Sequence, residues 1–244
     1  MKKFKKAYLL ALLLLILTLV SCQNKQEAKA ETREVTDQAG TKVEVPKNVE
    51  KIADLWHANN QVVLLLGGAD KLVATTNPIK KNPWFAKVYP RIKDVAAPFN
   101  GKDLQVEELM KLNPDVVLTS NDAELKTVRD AGLKGVKVTF KDFNGLRETI
   151  KITAAVIGGE APKKAEEYIK YLDENINYTS EKMKNVKQDK KVKVLHIVSG
   201  ENLLKVDGTN TIINEWIELA GAENVVKKEG NQLELTMEEI VKLD

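Results

Sequence analysis

The chain has 244 residues, 43% hydrophobic and 30% charged, with 13 Gly and 7 Pro. That is the composition of a globular protein, and it excludes a disordered, collagenous or multi-span membrane chain. The single Cys excludes a disulfide framework, an iron–sulfur cluster and an all-Cys zinc site. The formal charge of +3 rests on four lysines within the first six residues; without them 34 basic groups face 35 acidic ones, and no basic excess remains to hold nucleic acid.

Those lysines (Lys2, Lys3, Lys5, Lys6) precede an apolar run from Ala7 to Val20, broken only by Tyr8 and Thr18. A positive start and a 14-residue apolar stretch read as a secretory signal over residues 1–21. A lone helix crossing a ~30 Å hydrocarbon core needs about 20 residues. The run ends in Leu19-Val20-Ser21-Cys22, which resembles a bacterial lipobox with Cys22 as the lipidated N-terminus. Acyl chains, at ~0.8 kcal/mol per buried CH₂, would then anchor the protein to a bacterial membrane on its extracytoplasmic side. Residues 22–32 are polar and read as a flexible tether, so folding begins at Arg33.

From Arg33 to Val45 apolar and polar residues alternate about Asp37-Gln-Ala-Gly40, which predicts a β-hairpin. Strands at 51–56 and 72–75 flank a helix at 59–66 that Gly67-Gly68 stops. A helix at 104–112, a buried strand at 114–119, a helix at 123–131, a strand at 136–140 and a helix at 146–157 follow. Strands alternating with helices in this way indicate an α/β fold of parallel βαβ units. One long helix is predicted from Pro162 to Val186, with Ala165, Ile169, Leu172, Ile176, Met183 and Val186 on one stripe. At 1.5 Å per residue it spans about 37 Å and reads as a rigid strut between two lobes. A strand at 193–198 and a helix at 210–219 come after it. The expected domains are an N-terminal lobe over 33–160, an interlobe helix over 161–188 and a second lobe over 189–244.

Two blocks recur in the same order. Leu104–Asn113 matches Leu235–Asp244 with five identities in ten, and Gly68–Val73 matches Gly221–Val226. A duplicated α/β lobe accounts for both. The first copy continues into the strand at 114–119 whereas the second stops at Asp244, so the second lobe is expected to be truncated and the chain a fragment, the alternative being a naturally shortened protein with an unstable second lobe. The first copy also carries an insertion, residues 77–99, that holds Trp84, Phe85, Tyr89 and Phe99 among four prolines and five basic residues. These rings either wall a flat or anionic ligand or plug the core of the lobe.

Ligands of open α/β sheets meet the loops that follow strand C-terminal ends. Here those loops carry Trp56, His57 and Asn59, then Thr76 and Asn77, then Ser120 and Asn121, then residues 141–144, and in the second lobe Ser199 to Asn202. Trp56 and Trp84, with Phe85 and Phe99, are the candidates for stacking on a planar ligand. His57 is either a metal ligand or a hydrogen-bonded loop histidine. His196, inside an apolar strand, and Trp216, on a helix face with Ile212 and Leu219, are expected in the core. Two histidines 139 residues apart do not make a bare zinc or manganese site, which favours a metal that arrives chelated. Walker A, G-x-S-x-G, H-E-x-x-H and C-x-x-C motifs are absent, and no catalytic residue or resident cofactor is expected.

Val35-Thr-Asp37, Gly40, Val43-Glu-Val-Pro46 and Ile52, with Glu107–Leu118 (EELMKLNPDVVL) and Leu219–Val225 (LAGAENV), resemble the periplasmic-binding-protein lipoproteins of bacterial ABC importers for iron–siderophores, haem and cobalamin. The resemblance implies two Rossmann-like lobes joined by one long helix and a ligand held between them with little hinge closure. The cargo it implies is a ferric siderophore or haem, with cobalamin or a nickel chelate as alternatives. It also implies a monomer that works with a permease and its ATPase, and a glutamate on each lobe, here Glu107 and Glu238, docking onto permease arginines. A lipoprotein adhesin or sensor on the same scaffold is the competing class.

Overall fold

The computed structural model describes residues 31–199 and 204–243, with Ser199 described through its backbone alone. The expected signal segment, Cys22 and most of the tether lie outside the described residues, as do 200–203 and Asp244.

The predicted hairpin is β1 (Thr32–Thr36) paired with β2 (Lys42–Pro46). In chain order there follow β3 (Ile52–Asp54), α1 (His57–Leu65), β4 (Leu72–Ala74), α2 (Asn77–Lys81), α3 (Pro83–Val88), β5 (Phe99–Asn100), β6 (Asp103–Leu104), α4 (Val106–Lys111), β7 (Val116–Thr119), α5 (Asp122–Asp130), β8 (Gly135–Lys137) and α6 (Phe143–Ile157). The aromatic insertion is not a loop: Pro78 and Pro83 stand in the first turns of α2 and α3, where a missing N–H costs no helical bond.

Four strands form an all-parallel sheet in the order β4-β3-β7-β8. Every residue of β3, β7 and β8 is buried, as befits strands covered by helices on both faces. Alternation divides them between two cores. Ile52, Val116 and Leu118 pack with Val63 and Ile150 on one face, while Ala53 and Val117 meet Leu109 and Val128 on the other. Gly135 is required by close approach: a Cβ there would lie 2.9 Å from Leu125 Cδ1, inside the contact of α5 with β8. The buried Asp37 carboxylate ties the hairpin to this sheet, accepting from Arg129 Nη2 at 2.7 Å and from the Lys137 amide at 3.0 Å. From β3 the chain first adds β4 on one side and later β7 and β8 on the other, so the strand order reverses beside β3. A crevice beyond the strand C-termini is expected at such a point.

The long helix is α7 (Ala161–Met183), three residues shorter at its C-terminus than the periodicity predicts. Ala161 and Ala165 are buried, whereas the rest of the stripe (Ile169, Leu172, Ile176, Met183) is half-buried. After it come β9 (Lys193–Val194), β10 (Ile197–Ser199), β11 (Leu204–Val206), α8 (Ile212–Leu219), β12 (Glu223–Asn224), β13 (Leu233–Leu235) and α9 (Met237–Val241). The single strand predicted at 193–198 is two strands in different sheets. β9 pairs in parallel with β12, while β10, β11 and β13 form an antiparallel sheet. The sequence repeats occupy matching elements nonetheless. Gly68–Val73 leads into β4 and Gly221–Val226 contains β12, each the second strand of a parallel pair; the other block supplies α4 and α9.

Candidate functional site

The C-terminal ends of β3 and β4 open into a crevice of about 210 Å³, bounded by the β5–β6 hairpin. His57, the first residue of α1, and Thr76 and Asn77, at the start of α2, line it with Phe99 and Lys102. Four of the residues expected from the sequence (His57, Thr76, Asn77, Phe99) are therefore brought together. Among the described residues no carboxylate lines this crevice. Its polar groups are an ammonium, an amide, a hydroxyl and an imidazole, a donor-rich set suited to anionic oxygen.

Thr76 is the informative member. It occupies the N-cap position of α2, yet its side chain makes no capping bond, and among the described residues its buried hydroxyl has no hydrogen-bond partner. Burying a hydroxyl unpaired costs about 1–3 kcal/mol; among the described residues Asn214 Oδ1, away from this crevice, is the other buried side-chain polar atom in that state. The imidazole of His57 sits partly against the apolar wall, and that desolvation lowers its pKa below the usual histidine value. The ring is consequently neutral at physiological pH, with a lone pair to offer.

A second hollow, an apolar groove of about 500 Å³, begins one residue further along α1, at Ala58. Leu65, Trp84, Val88, Tyr168 and Trp216 line it. Trp84 and Trp216 are 53% and 55% exposed, so Trp216 is not the core residue that its amphipathic helix suggests. In the first turn of α1, His57 belongs to the crevice and the next residue, Ala58, to the groove.

The remaining expected residues lie elsewhere. Trp56 is half-buried and packs on Phe140 at 4.9 Å between centroids. Phe85 is 1% exposed and fills the core, edge-on to Trp84. Asn59 is fully buried with both ends of its amide used: Nδ2 donates to Asp54 Oδ2 at 3.1 Å, and Oδ1 accepts from Thr153 Oγ1 at 3.0 Å. Asn121 caps α5, accepting from the amides of Ala123 and Glu124, and Ser120 is half-buried beside it. The side chain of Ser199 lies outside the described residues. Lys102 escaped the sequence reading, although Asn100-Gly101 is a hairpin signature that would have placed it at a turn.

Glu107 and Glu238 are both exposed in the first turns of α4 and α9. Their neighbours are engaged. Glu108 pairs with Lys111 at 2.6 Å, and Glu239 closes the capping box of α9 by accepting from Thr236. Glu107 and Glu238 have no side-chain hydrogen bond or ion pair among the described residues.

Residues 52–244 match the model of a family described as "Periplasmic binding protein". The chain is 29% identical over 252 residues to YvrC of Bacillus subtilis, an ABC transporter substrate-binding lipoprotein, covering 96% of this chain and 76% of that one. It is 23% identical over 218 residues to the molybdate-binding protein MolA of Haemophilus influenzae, covering 79% and 61%. The solved structure of MolA bound to molybdate superposes with a TM-score of 0.77 at 19% identity, over 86% of this chain and 71% of that one. With the haem uptake protein IsdE of Staphylococcus aureus the identity is 31% over 163 residues, 64% of this chain and 53% of that one. The chain thus spans from about half to three quarters of the length of these curated relatives. Its parallel sheet with a strand reversal at β3, the crevice at that point and the match over residues 52–244 agree: the chain belongs to the periplasmic binding protein family and is a substrate-binding protein of the ABC-transporter kind.

Proposed function

We propose that this protein is the extracytoplasmic, lipid-anchored binding component of an ABC importer and that its cargo is an iron complex, a ferric siderophore or haem. The observation that carries the reading is the buried hydroxyl of Thr76, without a partner among the described residues, in a donor-lined crevice at the strand ends. An anionic edge of the chelate (catecholate or carboxylate) would pair with Thr76, Asn77 and Lys102. Neutral His57 at the rim stands ready for the metal. The flat, apolar part of the cargo would lie across the first turn of α1 onto Trp84 in the groove, whose volume suits a tetrapyrrole better than the crevice does. Among the described residues no three His, Cys, Asp or Glu side chains gather where they could share an ion. Cys22 would supply the anchor, and among the described residues no helix is long and apolar enough to cross a membrane. The two lobes, joined by α7, would present Glu107 and Glu238 to the permease.

A second reading is favoured by the crevice volume of about 210 Å³, which suits a small oxyanion such as the molybdate that MolA binds. Tryptophan fluorescence titrations with haemin, ferric catecholate and hydroxamate siderophores, cobalamin, nickel–histidine and molybdate discriminate between them. A ferric complex is expected to quench most strongly, through Trp84. Quenching by molybdate alone would replace the first reading with the second, and quenching by none would remove both.

Thr76→Val sharpens the test because its two effects have opposite signs. The methyl fills the hydroxyl's place without needing a partner, so the unliganded protein is expected to gain about 1 kcal/mol in urea unfolding. Cargo affinity is expected to fall about tenfold, as one hydrogen bond to the ligand is lost. A loss of stability with no change in affinity would show that Thr76 is structural.

A further inference from the structure

A third hollow, of about 370 Å³, is lined by Phe140 and Lys141 ahead of α6 and, beyond α7, by His196, Asp207, Asn210 and Gln232. It shares Phe140 and Ile212 with the apolar groove. The residues around His196 (Val194, Leu195, Ile197, Val198) predict a core strand, but its side chain is 41% exposed. The cause is the change of sheet: β9 pairs with β12 and β10 with β11, so the backbone turns from one sheet to the other at Leu195-His196 and the imidazole emerges between them.

The ring is held by a buried carboxylate. Nδ1–H donates to Asp207 Oδ2 at 2.9 Å, and the Asp207 side chain is 7% exposed. Its other oxygen accepts the Gln232 amide at 2.9 Å. The Asp207 carbonyl accepts from Asn224 Nδ2 at 3.0 Å, and Asn224, the asparagine of the Leu219–Val225 segment, is itself 2% exposed. A carboxylate offers acceptors only, so in the neutral ring this geometry puts the proton on Nδ1 and leaves the lone pair on Nε2, the nitrogen on the far side of the ring. Nε2 has no partner among the described residues, and the ring lines the cavity. A buried carboxylate fixing the tautomer and orientation of an imidazole is how proteins hold a histidine toward a metal. Both Asp207 oxygens are already committed, and Lys141 stands in the same lining, so the cavity is poor for a free cation.

We propose that His196 Nε2 coordinates the metal of an anionic chelate through an open coordination position, while Lys141 balances the chelator's charge. This rests on the reading of the cargo as a metal chelate and adds a metal-binding residue beyond α7, outside the crevice of Thr76. Copper(II)–nitrilotriacetate, an anion with a coordination position to spare, is a suitable probe, and His57→Gln leaves His196 as the chain's one imidazole. In that variant of the full, untagged chain, bound probe is expected to show in pulsed EPR the remote-nitrogen coupling of a single imidazole. Adding His196→Gln should remove the coupling and lower affinity about tenfold or more. Asp207→Asn should shift the remote-nitrogen quadrupole coupling, because Nδ1 loses its carboxylate. Lys141→Gln, at an exposed position that folding does not need, should weaken binding and flatten its salt dependence with the coupling intact. No imidazole coupling in the His57→Gln protein overturns the proposal, and so does a coupling indifferent to Asp207→Asn. A positive copper result with no cargo among the titrated complexes would end the iron reading and leave His196 a chelate ligand; the opposite pair would remove His196 and leave that reading in place.

Discussion

Asp54→Ala is expected to lower the unfolding free energy by about 3 kcal/mol at pH 5 and to weaken cargo binding with it. Asp54 is fully buried at the end of β3. Its Oδ1 accepts the Trp56 amide at 3.2 Å and its Oδ2 accepts Asn59 Nδ2 at 3.1 Å. The same web continues through Asn60, which donates to the Asp54 carbonyl at 3.1 Å and accepts from Thr75 Oγ1 at 2.6 Å. One buried polar chain therefore joins β3, α1, the end of β4 and, through Thr153, α6. His57 and Thr76 each sit one residue from a member of it, so the crevice inherits its geometry. Deleting the carboxyl strands two buried donors at about 1–3 kcal/mol each, partly offset because the protein no longer buries an acid. The pH dependence has a definite sign. Desolvation raises the pKa of Asp54 well above the normal aspartate value. A group with a raised pKa in the folded state stabilises fully below its unfolded pKa, about 3.9, and loses that contribution as pH rises through the folded value. The cost of Asp54→Ala should accordingly be largest near pH 4 and shrink toward pH 7 in urea titrations of wild type and variant. A cost that grows with pH would mean that the site stabilises the charged carboxylate.

The parallel sheet was legible because its strands are buried on both faces and so appear as short apolar runs between helices of clear 3.6-residue period. The loop-after-strand rule likewise located His57, Thr76 and Asn77. What sequence cannot show is which member of a consecutive pair turns inward. Trp84 and Phe85 are equivalent as letters, and the register of the six-residue α3 sends Phe85 into the core and Trp84 into the groove. Asn59 looks like a ligand group until the partners that consume its amide, Asp54 and Thr153, are in place. His196 shows the strongest conflict between local pattern and tertiary pairing. Five apolar or aromatic residues in a row fit one strand, whereas the competition of β12 and β11 for its two halves splits it and exposes the ring. The orphan state of the Thr76 hydroxyl is the same kind of fact, a property of everything that fails to come within reach of it.

Charge reversal at Glu107 and Glu238 together is expected to abolish transport while leaving the cargo dissociation constant unchanged. The sequence repeat puts both residues at the same position of a duplicated block, and the structure puts both in first turns of matching helices, α4 and α9. A carboxylate at a helix N-terminus is favoured by the local dipole without being consumed by it, so both remain available to an outside partner. Their neighbours are less so, Glu108 being paired with Lys111 and Glu239 with the Thr236 cap. Equal charges at equivalent places suit a permease built with two-fold symmetry, which would offer the same basic pocket twice. Leaving one such docked charge unpaired costs about 2–5 kcal/mol, so Glu107→Lys or Glu238→Lys alone should reduce cargo uptake into vesicles carrying permease and ATPase by about 30-fold or more. The double variant should show none, with the fluorescence titration unaltered. Glu108→Lys should reduce uptake much less, because that side chain is committed within its own helix. Glu239→Lys should act mainly by loosening α9, visible as lost stability before lost transport. Uptake that survives the double reversal would move the docking surface away from these two helices, and uptake that fails equally with Glu108→Lys would reduce the effect to general surface charge.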